Sequence, residues 1–239
     1  MTSGHAVGRF WHHVTASQPM PEARYVVGAG VLALALVCWR PTWRWVRMAI
    51  TVVHEAGHAL VAVLVGRRLS GIRLHSDTSG VTVSRGRPRG PGMVAMMAAG
   101  YLAPGALGLL AALLLVAGHA LGLLWLLVVV LLALLVWVRN GYGLLTVVVL
   151  AAGLAAVSVY AAGRLQWGIA CVVTWLLLLA APRPLVELLG RGRAGRRGSD
   201  PEQLSRLTHL PTLLWVFLLL AADLAGLAVG AATLVPRLR

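Results

Sequence analysis

Long apolar runs are the feature of this sequence that most constrains its fold. A helix that crosses a bilayer needs about 20 consecutive apolar residues. Seven runs approach this length, at about 25–39, 45–66, 92–117, 120–138, 143–162, 165–181 and 211–234. Hydrophobic residues make up 59% of the chain and charged residues 12%, which is typical of membrane proteins. We predict an all-α polytopic membrane protein with about seven transmembrane helices, or six if the weak run at 143–162 does not cross.

Arginine carries the basic charge of the chain and marks the ends of the apolar runs. The formal net charge is +14, and there is no lysine. This placement is typical of topology signals and of contacts with anionic lipid, and it argues against a nucleic-acid groove. Because arginine is retained on the cytoplasmic side, we predict a cytoplasmic N-terminal segment at 1–24. A single membrane domain at 25–235 follows, with cytoplasmic loops at 67–91 and 182–210.

Two predicted loops carry local structure signals. In the first, the β-prone runs 72–74 and 81–83 flank a turn rich in Asp, Ser and Gly, which predicts a β-hairpin directly after the second apolar run. The second loop begins as a mobile Gly/Arg-rich stretch and ends in a helix-start signal. There Asp200 is the predicted N-cap and Pro201 the first helical residue.

The second apolar run contains the sequence HEAGH, which places His54, Glu55 and His58 inside a predicted helix. Residues four apart share a helix face, so both imidazoles can point at one ion with the carboxylate beside them. Ionisable groups such as Asp or Arg cost roughly 2.5–3.5 kcal/mol each at bilayer depth on insertion scales. The spacing predicts a zinc site with His54 and His58 as ligands and Glu55 as the catalytic base.

The stretch TVVHEAGHALVAVLVGRRLSGIRLHSDTSGVTVSRG resembles the site-2 protease family of intramembrane zinc metalloproteases. The likeness is strongest to the compact actinobacterial branch, the peptidase M50B-like proteins, and covers most of 45–235. The resemblance implies Zn²⁺ as cofactor, a β element beside the active site and an Asp from a later helix as third ligand. It also implies hydrolysis of membrane-anchored protein or peptide substrates by a multi-pass protein of the bacterial plasma membrane.

Two acidic residues compete to be the third metal ligand, because the LDG motif of typical site-2 proteases is missing here. Asp200 occupies the position where the M50B-like branch carries an SDA-type segment, so the resemblance favours it. The alternative explanation for Asp200 is that it caps the helix that follows. Asp223 is favoured by depth, because His54 and Asp223 each lie 12 residues inside their runs, measured from Gly66 and Pro211. That separation corresponds to about 18 Å of helix.

Four further residues are candidate substrate contacts. Val81 and Val83 lie on a strand edge with which an extended substrate can pair, although a plain surface hairpin is equally consistent. The resemblance places a Gly/Pro-bearing helix beside the metal helix, which makes Tyr101, near Pro104, a candidate wall residue or oxyanion donor. It also makes Asn140 a weak candidate, for which a turn at the end of a run is the competing explanation.

The function predicted from the sequence is a zinc-dependent intramembrane endopeptidase that cleaves membrane-anchored substrates within or near the bilayer. One alternative is a metal- or ion-binding transporter, since intramembrane His and Asp residues also mark ion pathways. No span-scale inverted repeat is evident, which disfavours it. Another alternative is an inactive scaffold that retains the fold, which only the missing LDG motif favours.

Overall fold

The computed structural model describes Gly8, Val14 and residues 16–18 and 22–235. About two thirds of the predicted N-terminal segment at 1–24 therefore lie outside the described residues. In the described part the elements follow in this order: α1 (Ala23–Cys38), α2 (Arg40–Leu64), β1 (Arg68–Leu74), β2 (Gly80–Arg85), α3 (Pro91–Val116), α4 (Ala120–Leu135), α5 (Gly141–Tyr160), α6 (Gly163–Ala180), α7 (Arg183–Gly190), a 3₁₀ turn (Arg193–Arg196), α8 (Asp200–Thr208) and α9 (Thr212–Leu234).

Five segments of the described chain are long and apolar enough to cross a membrane, namely α2, α3, α5, α6 together with α7, and α9. Helices α1 and α4 are apolar but have only 16 residues each. At 1.5 Å per residue each spans about 24 Å, which is less than the roughly 30 Å of a bilayer core. The prediction of a mostly helical chain with a small hairpin and several apolar helices of membrane-spanning length is confirmed. Of the seven predicted spans, five meet the length criterion.

Helices α2 and α3 pack antiparallel at very short range. Gly57 of α2 faces α3 so closely that an added Cβ would lie 2.5 Å from the Ala103 Cβ and 2.6 Å from the Ala99 carbonyl oxygen. Small residues permit such close approach of membrane helices. Nearer the other end of the pair, Gly92 lies against Val65. The helix that carries the HEAGH sequence is therefore fixed against α3 along its C-terminal half.

The predicted β-hairpin forms, and it is longer than the sequence pattern indicates. Strands β1 and β2 are antiparallel, with a register irregularity near the start of β1. At the tip, Asp77 accepts a hydrogen bond from the Ser79 backbone N–H at 2.9 Å. The Thr51 hydroxyl of α2 donates to the Thr78 carbonyl at 2.9 Å, so the hairpin folds back along α2 towards its N-terminal half.

The outer edge of β1 is closed by the chain that follows α4. The Ile72 N–H donates to the Trp137 carbonyl at 2.7 Å, and the Arg139 N–H donates to the Ile72 carbonyl at 2.9 Å. The predicted run at 120–138 thus ends early as a helix, and its last residues pair with a strand. Among the described residues β2 has a strand neighbour only on the β1 side.

The segment at 182–210 contains three short helical elements, where the sequence pattern predicts a Gly/Arg-rich stretch followed by one helix start. Helix α7, the 3₁₀ turn and α8 follow one another between α6 and α9. Leu185, Leu188 and Leu204 are buried in one cluster that includes Met97 of α3 and Leu219 of α9. Packing of these apolar side chains, which the Gly/Arg composition obscures, holds the segment on the helical bundle.

Candidate metal centre

Helix α2 presents His54 and His58 on one face, as the four-residue spacing requires. Their Nε2 atoms lie 3.1 Å apart. The Oδ2 atom of Asp200, at the start of α8, lies 3.1 Å from the His54 Nε2 and 3.2 Å from the His58 Nε2. Three ligand-type atoms from two distant parts of the chain thus converge on one point.

The spacing of these three atoms fits a small metal ion. Zinc binds His nitrogen and carboxylate oxygen at about 2.0–2.2 Å, so tetrahedral ligand atoms lie about 3.3 Å apart. The observed separations of 3.1–3.2 Å are close to that value. Two imidazoles and one carboxylate form a donor set that leaves a fourth position for water or substrate.

A backbone carbonyl of α3 orients the second histidine. The His58 Nδ1 lies 2.7 Å from the Met96 carbonyl oxygen. A carbonyl only accepts hydrogen bonds, so Nδ1 carries the proton and Nε2 is the atom available to a metal. Such outer-shell contacts fix the tautomer and ring orientation of metal-binding histidines.

Gly100 of α3 allows the two imidazole rings to approach the helix. A Cβ added at Gly100 would lie 2.7 Å from the His54 Cε1 and would also collide with the His58 Nε2. The ring of Tyr101 stands edge-on to that of His54, with centroids 4.9 Å apart. Helix α3 therefore forms one wall of the site, next to both imidazole rings.

Glu55 is buried, with 4% of its surface exposed, and it faces β2. Thr82 donates a hydrogen bond from its hydroxyl to the Glu55 Oε2. Gly80 lies so close that an added Cβ would be 2.5 Å from the Glu55 Oε1. The carboxylate is thus held between α2 and the hairpin, one helix position from the first histidine.

The sequence interpretation missed Thr82 and Gly80. Side chains alternate between the two faces of a strand, so a strand with Val81 and Val83 exposed on one face must direct Thr82 to the other. Burial along β2 alternates accordingly, from Gly80 to Arg85. This alternation is the signal in the sequence that could have identified both residues.

The electrostatics of Asp200 favour its ionised form. Burial opposes ionisation of this carboxyl, but its hydrogen bonds with His54 and His58 outweigh burial and hold its pKa below the usual range. Its side chain is 14% exposed. Ser199 is the N-cap residue and Asp200 the first residue of α8, so the cap and the helix start each lie one position earlier than predicted, and the Asp200 carboxylate faces the histidines.

An open cavity of about 540 Å³ lies over these residues. Its lining includes the histidine pair, Glu55, Asp200, Tyr101 and most of β2. Val81 and Val83 border the cavity and are 49% and 47% exposed. The structure therefore brings six predicted site residues and the catalytic-base candidate to one place.

Two other candidates lie elsewhere. The Asn140 amide donates to the Leu74 carbonyl at 2.6 Å, and its oxygen accepts from the Leu74 N–H at 3.1 Å, so it bonds to β1 outside the cavity. Asp223 is buried in α9 against Gly105. It does not belong to the described ligand cluster, and its Oδ2 has no hydrogen-bond partner among the described residues.

Comparison with known protein families accounts for nearly the whole described chain. The model of the family described as Peptidase M50B-like matches residues 27–230. The chain belongs to the Peptidase M50B-like family. No significant match was found among curated proteins or among solved structures.

The family match covers every element that builds the candidate centre. It includes α2 and the hairpin, and it extends through α8 into α9. Membership confirms the resemblance to intramembrane metallopeptidases that the HEAGH region indicates. Together with the five apolar helices, it identifies the chain as an integral membrane protein of a peptidase family.

Proposed function

We propose that this M50B-like protein is a zinc-dependent intramembrane endopeptidase that cleaves membrane-anchored protein or peptide substrates. The observation that carries the proposal is the convergence of His54, His58 and Asp200 next to Glu55 in one open cavity. A transporter needs ion ligands but has no need of a carboxylate held beside them by a strand. The family match adds support for peptidase chemistry.

In this proposal His54, His58 and Asp200 are the three protein ligands of the metal. Asp200 is preferred to Asp223 because its Oδ2 lies within 3.2 Å of both imidazole nitrogens. When bound, zinc supplies Lewis acidity that activates water and polarises the scissile carbonyl. The Met96 carbonyl keeps His58 in the tautomer that this ligand role requires.

Glu55 is the proposed general base, which takes a proton from water and delivers it to the leaving amine. The hydroxyl of Thr82 donates to one carboxylate oxygen, and Gly80 lies close against the other. Tyr101 forms the wall beside His54. These contacts fix the base before substrate arrives, and such preorganisation reduces the cost of reaching the transition state.

The proposed substrate site is the free edge of β2. Peptide substrates that add to an exposed strand edge gain main-chain hydrogen bonds without any demand on their side chains. Val81 and Val83 lie on this strand and border the cavity. A substrate helix that unwinds into extended form can therefore pair with β2 and lie within reach of Glu55.

Substitution of the proposed base tests the reaction. We expect Glu55→Gln to lower the cleavage of a single-span model substrate in detergent with zinc by about 10²- to 10⁴-fold, which is the usual contribution of general acid–base catalysis. The matched control is Glu22→Gln, since the Glu22 side chain is 67% exposed. Unchanged turnover in Glu55→Gln would overturn the proposal.

Metal content tests the ligand set independently of turnover. Wild type and Asp223→Ala are expected to retain one zinc per chain after purification and dialysis, whereas Asp200→Ala loses it. Zinc retained by Asp200→Ala and lost by Asp223→Ala would transfer the third-ligand role to Asp223. A wild-type protein that holds no zinc under these conditions would overturn the proposed zinc dependence.

A further inference from the structure

A second set of contacts joins α7 to the helix that carries the HEAGH sequence. The Trp43 indole N–H donates to the Glu187 Oε1 at 2.7 Å, and the Arg47 Nη1 donates to the Glu187 Oε2 at 2.6 Å. The side chains of Arg47 and Glu187 are 30% and 26% exposed. We call Trp43, Arg47 and Glu187 the Glu187 clamp.

The clamp and the candidate metal centre share one face of α2. Trp43, Arg47, His54 and His58 follow one another at spacings of four, seven and four residues, which place them in one stripe along a helix. The chain at 183–200 contacts this stripe at two points, with Glu187 at one and Asp200 at the other.

Hydrogen bonds connect these two points within the 183–200 segment. Arg196, in the 3₁₀ turn, donates to the carbonyls of Leu188 and Leu189 at 3.0 and 2.9 Å, which terminates α7. The Ser199 hydroxyl donates to the Arg196 carbonyl at 2.7 Å. Ser199 directly precedes Asp200. We therefore expect a displacement of α7 to move the Asp200 carboxylate through the hydrogen bonds of Arg196 and Ser199.

We propose that Glu187 is a positioning residue for Asp200, and that the Glu187 clamp holds the 183–200 segment so that the carboxylate reaches the histidine pair. This inference rests on the proposed metal site. The distinctive feature is that Asp200 lies outside the membrane-spanning helices, on a short helix at the end of this segment. The contact of Glu187 with α2 gives the segment that carries Asp200 a second attachment to the helix that carries His54 and His58.

Glu187 is the member of the clamp whose loss should matter most, because its one negative charge faces two arginines. Arg183 lies 3.5 Å from the Glu187 Oε1 and stacks on the Trp43 ring at 4.0 Å. Removal of the carboxylate leaves Arg47 and Arg183 near each other without their shared counter-charge. A charge left unpaired in a partly buried position is unfavourable, so the segment is expected to move away from α2.

The test measures metal affinity in the full chain. Purified protein in detergent is titrated with Co²⁺ followed by its visible absorption, and with Zn²⁺ against a chromogenic chelator. We expect Glu187→Gln to weaken binding by about tenfold, the lower end of the effect of losing a direct partner of a metal ligand, because Glu187 acts on Asp200 through the segment and does not touch it. The control is Arg206→Gln, which breaks another ion pair of the same region at a side chain that is 73% exposed and leaves affinity unchanged.

A double-mutant comparison separates positioning from general damage to the fold. In the Asp200→Ala background, Glu187→Gln is expected to cause no further loss of affinity, because the group that it positions is gone. A further loss of tenfold or more would show that Glu187 acts on the fold as a whole, and it would overturn the proposal.

Limited trypsin digestion gives a readout that needs no metal. Arg191, Arg193 and Arg197 are exposed within the segment, and we expect Glu187→Gln to speed cleavage there relative to the exposed sites at Arg85 and Arg89. Equal affinity and equal digestion in wild type and Glu187→Gln would refute the positioning role while leaving the metallopeptidase intact. Failure of wild type to bind either metal would instead refute the proposed function.

Discussion

Gly100→Ala offers a direct test of how tightly α3 confines the candidate metal centre. The added methyl group would lie 2.7 Å from the His54 Cε1, whereas carbon atoms pack favourably at about 3.5–4.0 Å. The overlap is thus roughly 0.8 Å or more, and it is directed at the ring atoms of both histidines. Overpacking of this kind costs about 1–3 kcal/mol.

This cost should appear in metal affinity more than in stability. The rings can move towards the open cavity when they are not held by an ion, whereas bound metal fixes them where the new methyl group collides. At 1.36 kcal/mol per tenfold change, a cost of 1–3 kcal/mol corresponds to about 5- to 150-fold weaker binding. Replacement of a helical glycine by alanine also stabilises the helix by roughly 0.5–1 kcal/mol, so the melting temperature should change little.

The assay is a chelator competition with Zn²⁺, paired with thermal unfolding in the same detergent. Gly168→Ala in α6 is the matched control, because no atom lies within 4 Å of a Cβ added there. Zinc binding by Gly100→Ala within twofold of Gly168→Ala would show that α3 does leave room for a side chain beside the imidazoles.

Three further substitutions probe the hairpin. Thr82→Val removes the hydroxyl that bonds to Glu55. Because a hydrogen bond to a charged group contributes about 1.5–3 kcal/mol, we expect the cleavage rate to fall tenfold or more while the zinc content stays unchanged. Equal turnover in Thr82→Val and wild type would contradict this. Gly80→Ala places a methyl group against the same carboxylate and should lower kcat at constant zinc content, as measured by single-turnover cleavage. Asn140→Leu leaves the backbone of Leu74 without two hydrogen bonds and should destabilise the fold by about 1–3 kcal/mol; an unchanged unfolding midpoint would exclude that role.

Local spacing made the core of the centre predictable. A four-residue interval determines which helix face two histidines share, so His54 and His58 could be paired without any knowledge of the fold. The hairpin was equally accessible, because its turn residues and alternating strands are local signals. The role of Thr82 follows from the same alternation once β2 is placed against Glu55.

The position of the third candidate ligand depends on tertiary contacts that local signals do not record. The depth argument for Asp223 compared positions along two helices, but depth does not say which face of a helix meets which neighbour. Asp223 faces Gly105 of α3, whereas Asp200 reaches the histidines because buried leucines hold its segment on the bundle. Those leucines lie among Gly and Arg, a composition that suggests mobility.

The two edges of the hairpin are not equivalent, and this difference limits how the sheet can grow. Chain at 137–139 and the Asn140 amide occupy the β1 side, so an incoming strand can add only along β2. The sheet can therefore bind only one extended peptide at a time. Any extended peptide that binds there, whether substrate, product or inhibitor, must displace the previous one, and two such ligands should compete one for one.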